Sequence, residues 1–93
     1  IQTGSQIGNN SIMNTRSSVD HDCVVGAHVH VAPGVTMSGS IVVGEGVHIG
    51  CGATVIQQIK IHEFSVIGAG AVVIQDVPPH RKYVGVPAKE VLR

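Results

Sequence analysis

Apolar residues recur at every sixth position of this chain, without interruption from its first residue to Val73. The thirteen members of this series are Ile1, Ile7, Met13, Val19, Val25, Val31, Met37, Val43, Ile49, Val55, Ile61, Ile67 and Val73. A second series occupies the fifth place of each six-residue unit, or hexad, and contains only small or aliphatic residues: Ser5, Ser11, Ser17, Cys23, Val29, Val35, Ile41, Val47, Ala53, Ile59, Ser65, Ala71 and Val77. The two series predict two inward-facing positions in every hexad and four positions for corners and outer surface.

A period of six fits neither an amphipathic helix nor a long alternating strand. It fits a chain that forms a short strand, turns a corner and repeats. Three hexads close a triangle and make one coil, and successive coils lie about 4.8 Å apart, the spacing of hydrogen-bonded strands. We therefore predict an all-β fold, a parallel β-helix of hexapeptide repeats over residues 1–78, with roughly four coils.

Glycine supports the assignment of corners. One group of glycines occupies the second place of the hexad and another the fourth place: Gly8, Gly26, Gly44, Gly50 and Gly68 in the second, and Gly34, Gly46, Gly52 and Gly70 in the fourth. We interpret both groups as sites where a corner needs a permissive backbone.

Composition narrows the possible functions. Aromatic residues make up 2% of the chain, as expected for a narrow prism, and charged residues make up 13%, which indicates that another chain covers part of the surface. The formal net charge is zero, so nothing favours binding to nucleic acid or to an anionic membrane. No continuous apolar run approaches the length of a transmembrane helix.

The two cysteines face opposite ways in the hexad pattern. Cys23 occupies an inward fifth place, whereas Cys51 occupies an outward third place. A disulfide between them is not expected, and we predict reduced thiols and a cytoplasmic location. The inward position of Cys23 also argues against a role as nucleophile.

The hexad pattern ends at Pro78-Pro79, because proline cannot donate a ladder hydrogen bond. Residues 79–93 contain several basic residues and the single tyrosine, Tyr83. This segment is interpreted either as a cap that covers the open end of the solenoid or as a basic lip, a segment whose positive charges contact a phosphate-bearing ligand. The segment can have both roles. Residues 88–93 are expected to form one or two helical turns.

Between residues 14 and 30, histidines and carboxylates occupy outward positions that in most other hexads carry unreactive residues. His21 lies between Asp20 and Asp22, and a carboxylate that fixes the tautomer of an imidazole prepares it to act as a general base. The alternative to a general base is a solvated corner of polar residues.

His30 lies one full coil before His48 and occupies the same place of its hexad. The alternative to a functional role is that these two histidines simply stack as a rung on the outer surface. Three histidines within ten residues raise the question of metal, but His28 and His30 occupy different places around a corner, and we expect no metal site.

These residues resemble one family closely. The hexapeptide β-helix together with its motifs is similar to the sugar O- and N-acyltransferases that include sialic acid O-acetyltransferases and acetyltransferases for nucleotide-linked 4-amino sugars. The motifs are Asn14-Thr15, Ser18 to Cys23, Gly26, His30, Pro33-Gly34, Gly68 to Ala71 and Gly85 to Lys89. The resemblance covers essentially all 93 residues.

The resemblance implies a left-handed coil, a homotrimer and acetyl-coenzyme A (acetyl-CoA) as the acetyl donor. It implies that His21 is the proton acceptor and that Asp22 raises its basicity. His30, Cys51 and Ala69 match cofactor-contacting positions, and Asn14 matches a sugar-contacting position. The chain has no Met at position 1 and begins in mid-repeat, so we expect a fragment or a processed piece whose N-terminal part is missing. Family members usually carry an N-terminal βαβ domain that this chain does not contain.

The resulting hypothesis is direct, His21-assisted acetyl transfer to a sugar acceptor, an amine or a hydroxyl, in sites between neighbouring chains. Three alternatives remain open. They are a zinc-dependent enzyme of the γ-carbonic anhydrase type, an acetyltransferase of the serine or maltose type, and a structural β-helix without catalytic activity.

Overall fold

A computed structural model describes residues 6–13, 18–19 and 22–91. Within these ranges a short strand of two residues recurs once in every hexad. The strands are β1 (Gln6–Ile7), β2 (Ile12–Met13), β3 (Ser18–Val19), β4 (Val24–Val25), β5 (His30–Val31), β6 (Thr36–Met37), β7 (Val42–Val43), β8 (His48–Ile49), β9 (Thr54–Val55), β10 (Lys60–Ile61), β11 (Val66–Ile67) and β12 (Val72–Val73). Two further strands follow, β13 (Lys82–Val84) and β14 (Lys89–Glu90).

The strands stack into three sheets that form the faces of a triangular prism. Sheet A contains β1, β4, β7 and β10; sheet B contains β2, β5, β8, β11, β13 and β14; sheet C contains β3, β6, β9 and β12. From β1 to β12 every pairing is parallel and joins residues one full coil apart, such as His30 with His48. The molecule measures 36 × 22 × 21 Å. The predicted parallel β-helix of about four coils is confirmed.

The core fills the interior of the prism with aliphatic side chains from the two inward series. From β4 to β12 each strand has an outward first residue and a buried second residue, and Met37, Ile49 and Ile67 are completely buried. The fifth-place residues Val35 and Val47 are equally inaccessible. Each coil thereby covers the apolar floor of the next one, which is how a narrow solenoid removes apolar surface from water.

The corners use two different backbone devices. From Asn10 to Gly70, every described residue in the fourth place has a positive φ, including non-glycine residues such as Asp22 (58°) and Phe64 (57°). The fourth-place glycines therefore have the role that the sequence predicted. A second-place glycine has a different role: a Cβ on Gly50 would lie 2.6 Å from the Ala69 nitrogen, so its missing side chain permits close approach of the next coil.

The C-terminal segment joins the prism with a changed register. Val77 pairs with Ile61 and Lys82 pairs with Val66, and both separations are two residues shorter than a regular coil, so the final coil is not a repeat of the others. The buried Ser65 hydroxyl holds this junction, because it donates to the Pro78 carbonyl (2.5 Å) and accepts from the Arg81 N–H (3.2 Å).

The expected helical turn at residues 88–93 is wrong for the part that the structure describes. Lys89 and Glu90 form β14, antiparallel to β13. The Ala88 N–H donates to the Val72 carbonyl and the Val91 N–H donates to the Lys82 carbonyl. These backbone bonds to the existing sheet replace the local bonds that a helical turn would have made.

Candidate active site

Asp22, the acidic neighbour of the predicted base, belongs to the corner between sheets C and A. His21 and Asn14 fall outside the described residues. Asp22, next to His21 in the sequence, lies in the fourth place of this C–A corner, between β3 and β4. Its side chain is exposed and its φ is 58°. A left-handed backbone is tolerated better by aspartate than by most non-glycine residues.

His30 lies on the outward face of sheet B. Its side chain is half-buried, and the parallel register places His48 beside it on the next coil. The centroids of the two imidazole rings are 4.7 Å apart, and the ring planes are tilted by 58°. The hexad spacing predicted such an outer rung, and the structure confirms it.

Cys51 and Ala69 occupy the same place of the B–C corner in successive coils. The Gly70 N–H, next to Ala69, donates to the Cys51 carbonyl (2.8 Å), and the Gly52 N–H donates to the carbonyl of Pro33 one coil earlier (3.0 Å). Cys51 and Ala69 are both exposed. The predicted stacking of these two residues on one edge is confirmed.

Gly50, Cys51, Gly68 and Ala69 are the small residues of the B–C corner, and together they form a shallow track along the solenoid axis. Within the described ranges, two backbone N–H groups in this track have no acceptor. Gly50 and Gly68 precede the two corner residues and add no side chain. Among the described residues, the backbone N–H groups of Cys51 and Ala69 have no hydrogen-bond acceptor. One coil separates the two groups, which corresponds to about 4.8 Å between neighbouring parallel strands. In the described part of the chain, the corner therefore contains two backbone donors without acceptors, one coil apart, at residues that are exposed.

The predicted site residues do not all meet within one prism. Sheet B and the B–C corner bring His30, Cys51 and Ala69 to one side. Asp22 lies at the C–A corner, which is the vertex opposite sheet B in a triangular cross-section of about 22 × 21 Å. A small molecule that touches Asp22 on one chain therefore cannot also reach His30 of that chain.

The hexad pattern correctly predicted which cysteine is buried and which is exposed. Cys23 is buried and Cys51 is exposed, and neither forms a disulfide. The Cys23 thiol donates to the Ser38 carbonyl over 3.1 Å, inside the prism. Cys23 is thus a packed core residue, whereas Cys51 has its thiol on the outer track.

The described ranges contain no cluster of three or more His, Cys, Asp or Glu side chains with the geometry of a metal site. His28 lies in the A–B corner, between β4 and β5, and is not part of the face that carries His30 and His48. In the same part of the chain, no helix has the length and hydrophobicity that a membrane span requires.

Two features of sheet B and the B–C corner were not recognised as functional from the sequence. His48 was predicted only as a rung partner, although its position one full coil after His30 was the signal that places it on the same surface. The free N–H groups of Cys51 and Ala69 carry no side-chain signal, since any non-proline residue at a corner supplies one.

Comparisons with known proteins connect this geometry to an enzyme class. No protein-family model and no curated protein sequence matches the chain, whereas many solved structures do. One is a histidine mutant of perosamine N-acetyltransferase from Caulobacter crescentus in complex with CoA and GDP-perosamine. It is 40% identical over 96% of this chain and 42% of its own, with a TM-score of 0.95.

Two further structures are similar. The acetyltransferase domain of PglB from Neisseria gonorrhoeae FA1090, in complex with acetyl coenzyme A, is 41% identical over 97% of this chain and 44% of its own, with a TM-score of 0.96. Soybean serine acetyltransferase is 37% identical over 95% of this chain and 40% of its own, with a TM-score of 0.88.

The chain spans less than half the length of each of these three proteins. Its solenoid nevertheless matches theirs along almost all of its residues, and the match identifies the coil as the left-handed β-helix of hexapeptide repeats. Its structural homologues are acetyl-CoA-dependent acetyltransferases. The chain belongs to the structural family of hexapeptide-repeat acetyltransferases.

Proposed function

We propose that the chain is the catalytic β-helix of an acetyltransferase that moves an acetyl group from acetyl-CoA to a sugar acceptor. The acceptor would be a nucleotide-linked amino sugar or sialic acid. The observation that carries this proposal is the near-complete match to a perosamine N-acetyltransferase holding CoA and GDP-perosamine, at 40% identity.

The B–C corner has the properties of a track for the pantetheine arm of the cofactor. Its outward residues, Cys51 and Ala69, are small, and their free N–H groups are spaced to donate to successive carbonyl groups of an extended ligand. His30 and His48 flank the track on the outward face of sheet B. His30, Cys51 and Ala69 are therefore the proposed cofactor-binding residues.

The proposed base is His21, with Asp22 supporting the imidazolium that forms. His21 takes the proton from the acceptor amine or hydroxyl as that atom attacks the thioester carbonyl carbon. The carbon–sulfur bond then breaks, and CoA leaves as a thiol after receiving a proton. Backbone N–H groups at a corner would stabilise the oxyanion. Asn14 is the proposed contact to the sugar.

Assembly follows from the separation of the two halves of this site. Asp22 and sheet B lie on opposite sides of one prism, so a base near Asp22 must act on a cofactor held by a neighbouring chain. We propose a homotrimer with three sites between chains. The low content of charged residues, 13%, supports a covered surface.

The segment 79–93 is proposed to be both the cap of the solenoid and a lip for the cofactor. Lys82 and Lys89 are exposed at this end, while Arg81 is paired with Glu90 (2.8 Å). Two exposed ammonium groups near the end of the track would favour the phosphates of the cofactor. Cys23 and Cys51 form no disulfide, which supports a reducing compartment such as the cytoplasm.

Serine is a second candidate acceptor, because a soybean serine acetyltransferase is 37% identical over 95% of the chain. The deciding experiment measures acetyl transfer by the intact protein from radiolabelled acetyl-CoA to GDP-perosamine, a UDP-linked 4-amino sugar, sialic acid and serine. A sugar already acetylated on its amine is the negative control for the amino sugars. We expect labelled product with one of the sugars; product with serine alone would overturn the assignment of a sugar acceptor.

A further inference from the structure

We propose that His48 is a positioning residue for the cofactor, acting through His30, and this inference rests on the proposed function. His48 packs against the His30 imidazole and holds it in the orientation that meets the cofactor. His48 does not itself need to contact the reacting atoms.

The sheet register leaves the His30 ring little freedom along the solenoid axis. Ile12 pairs with His30 from the preceding coil, and His48 pairs with it from the following coil. Neighbouring coils lie about 4.8 Å apart, so the ring has a side chain directly on either side.

The contact with His48 is aromatic and tilted. The centroid distance of 4.7 Å and the interplanar angle of 58° fall within the range of favourable edge-to-face aromatic pairs. His30 is half-buried whereas His48 is exposed, so His48 forms the outer support of a ring that is already partly enclosed. Packing of the imidazole is therefore the property of His48 that matters, and its nitrogen atoms are dispensable.

His30 and His48 each lie in the same coil as a residue of the B–C corner. His48 is three residues before Cys51 in the same coil, and His30 is three residues before Pro33. Pro33 has no N–H, so its coil lacks the corner donor that Cys51 supplies in the next. His30 is the proposed cofactor contact in the coil of Pro33, so the orientation of its imidazole matters for binding there.

The test measures CoA dissociation constants by titration calorimetry for the intact protein and for His48→Ala, His48→Phe, His30→Ala and the double variant His30→Ala/His48→Ala. His62→Ala, an exposed histidine of the A–B corner, is the matched control. Without His48, binding must itself order the His30 side chain, so we expect roughly 2- to 10-fold weaker CoA binding for His48→Ala. His48→Phe should restore binding, since it keeps a packed ring, and His62→Ala should have no effect.

The double variant separates positioning from a general structural role. If His48 acts through His30, removing His48 has no further effect once His30 is alanine, and kcat at saturating acetyl-CoA is unchanged in His48→Ala. Equal weakening by the Ala and Phe variants, or an additive double variant, would overturn the inference while leaving the proposed function intact. Failure of the unmodified protein to bind CoA would overturn the proposed function and the inference with it.

Discussion

The carbonyl of Cys51 accepts a hydrogen bond of 2.8 Å from the N–H of Gly70, which fixes Ala69 directly one coil beyond Cys51 on the B–C corner. Stacking of this kind repeats along the solenoid, so a ligand lying parallel to its axis meets the same backbone groups at every coil. A groove built in this way depends on small side chains at the corner, and that dependence can be tested one residue at a time.

Replacing Ala69 by phenylalanine should fill the track without disturbing the fold, because Ala69 points outward and is exposed. We expect the acetyl-CoA KM to rise by at least about 10-fold, the effect of losing roughly 1.4 kcal/mol of binding. Glu45→Phe, in the third place of the A–B corner, is the matched control and should leave KM near the wild-type value. A normal KM for Ala69→Phe in a folded protein would remove the B–C corner from the cofactor site.

Alkylation of Cys51 should inhibit the enzyme by obstruction. Cys51 is exposed and Cys23 is buried, so iodoacetamide should modify Cys51 selectively, and bound CoA should protect it. Cys51→Ser should remain active and become insensitive to the reagent, as followed by residual activity and intact mass. An inactive but folded Cys51→Ser protein would show that the thiol takes part in chemistry, and direct transfer would then be wrong.

Ser65→Ala should weaken the junction between the solenoid and its C-terminal segment. The buried hydroxyl joins the Pro78 carbonyl to the Arg81 N–H, and leaving these groups unsatisfied costs about 1–3 kcal/mol of unfolding free energy. Urea unfolding would measure the loss, with Gln57→Ala, which removes an exposed polar side chain from a corner, as control. A change within about 0.5 kcal/mol, as at ordinary surface sites, would mean that Ser65 does not anchor the cap.

The protein should be a homotrimer in solution, as the family resemblance implies. Sites between its chains are expected because one prism cannot bring Asp22 and His30 to the same ligand. Sedimentation velocity at micromolar concentration should give three times the mass of the protein chain. A monomer that is nevertheless fully active would contradict both the assembly and the location of the sites between chains.

The hexad pattern was sufficient to predict the prism and much of its surface. Since the register of a solenoid equals its sequence period, a separation of one full coil placed Cys51 beside Ala69 and His30 beside His48 directly from the sequence. The same logic separated the buried Cys23 from the exposed Cys51. Local periodicity determines these positions because each coil rests only on its neighbours.

The C-terminal segment was less predictable, because its pairing is set by tertiary contacts. Pro78 and Pro79 mark the end of the hexads, but the resumption of sheet B with Lys82 opposite Val66 follows a junction in which the Ser65 hydroxyl bonds the Pro78 carbonyl and the Arg81 N–H. The return of β14 against β13 likewise depends on available backbone partners and not on helix propensity. Periodicity also does not reveal chemical roles. The roles of His21 and Asp22 were inferred from the family resemblance, and they stay predictions.

The most direct test of the account is the turnover of His21→Ala at saturating acetyl-CoA and acceptor. Loss of a general base predicts a fall in kcat by about 10²- to 10⁴-fold, with the CoA dissociation constant nearly unchanged because cofactor binding is assigned to sheet B and the B–C corner. A variant that retains more than about half of the wild-type kcat would contradict the assignment of His21 as the base for direct acetyl transfer.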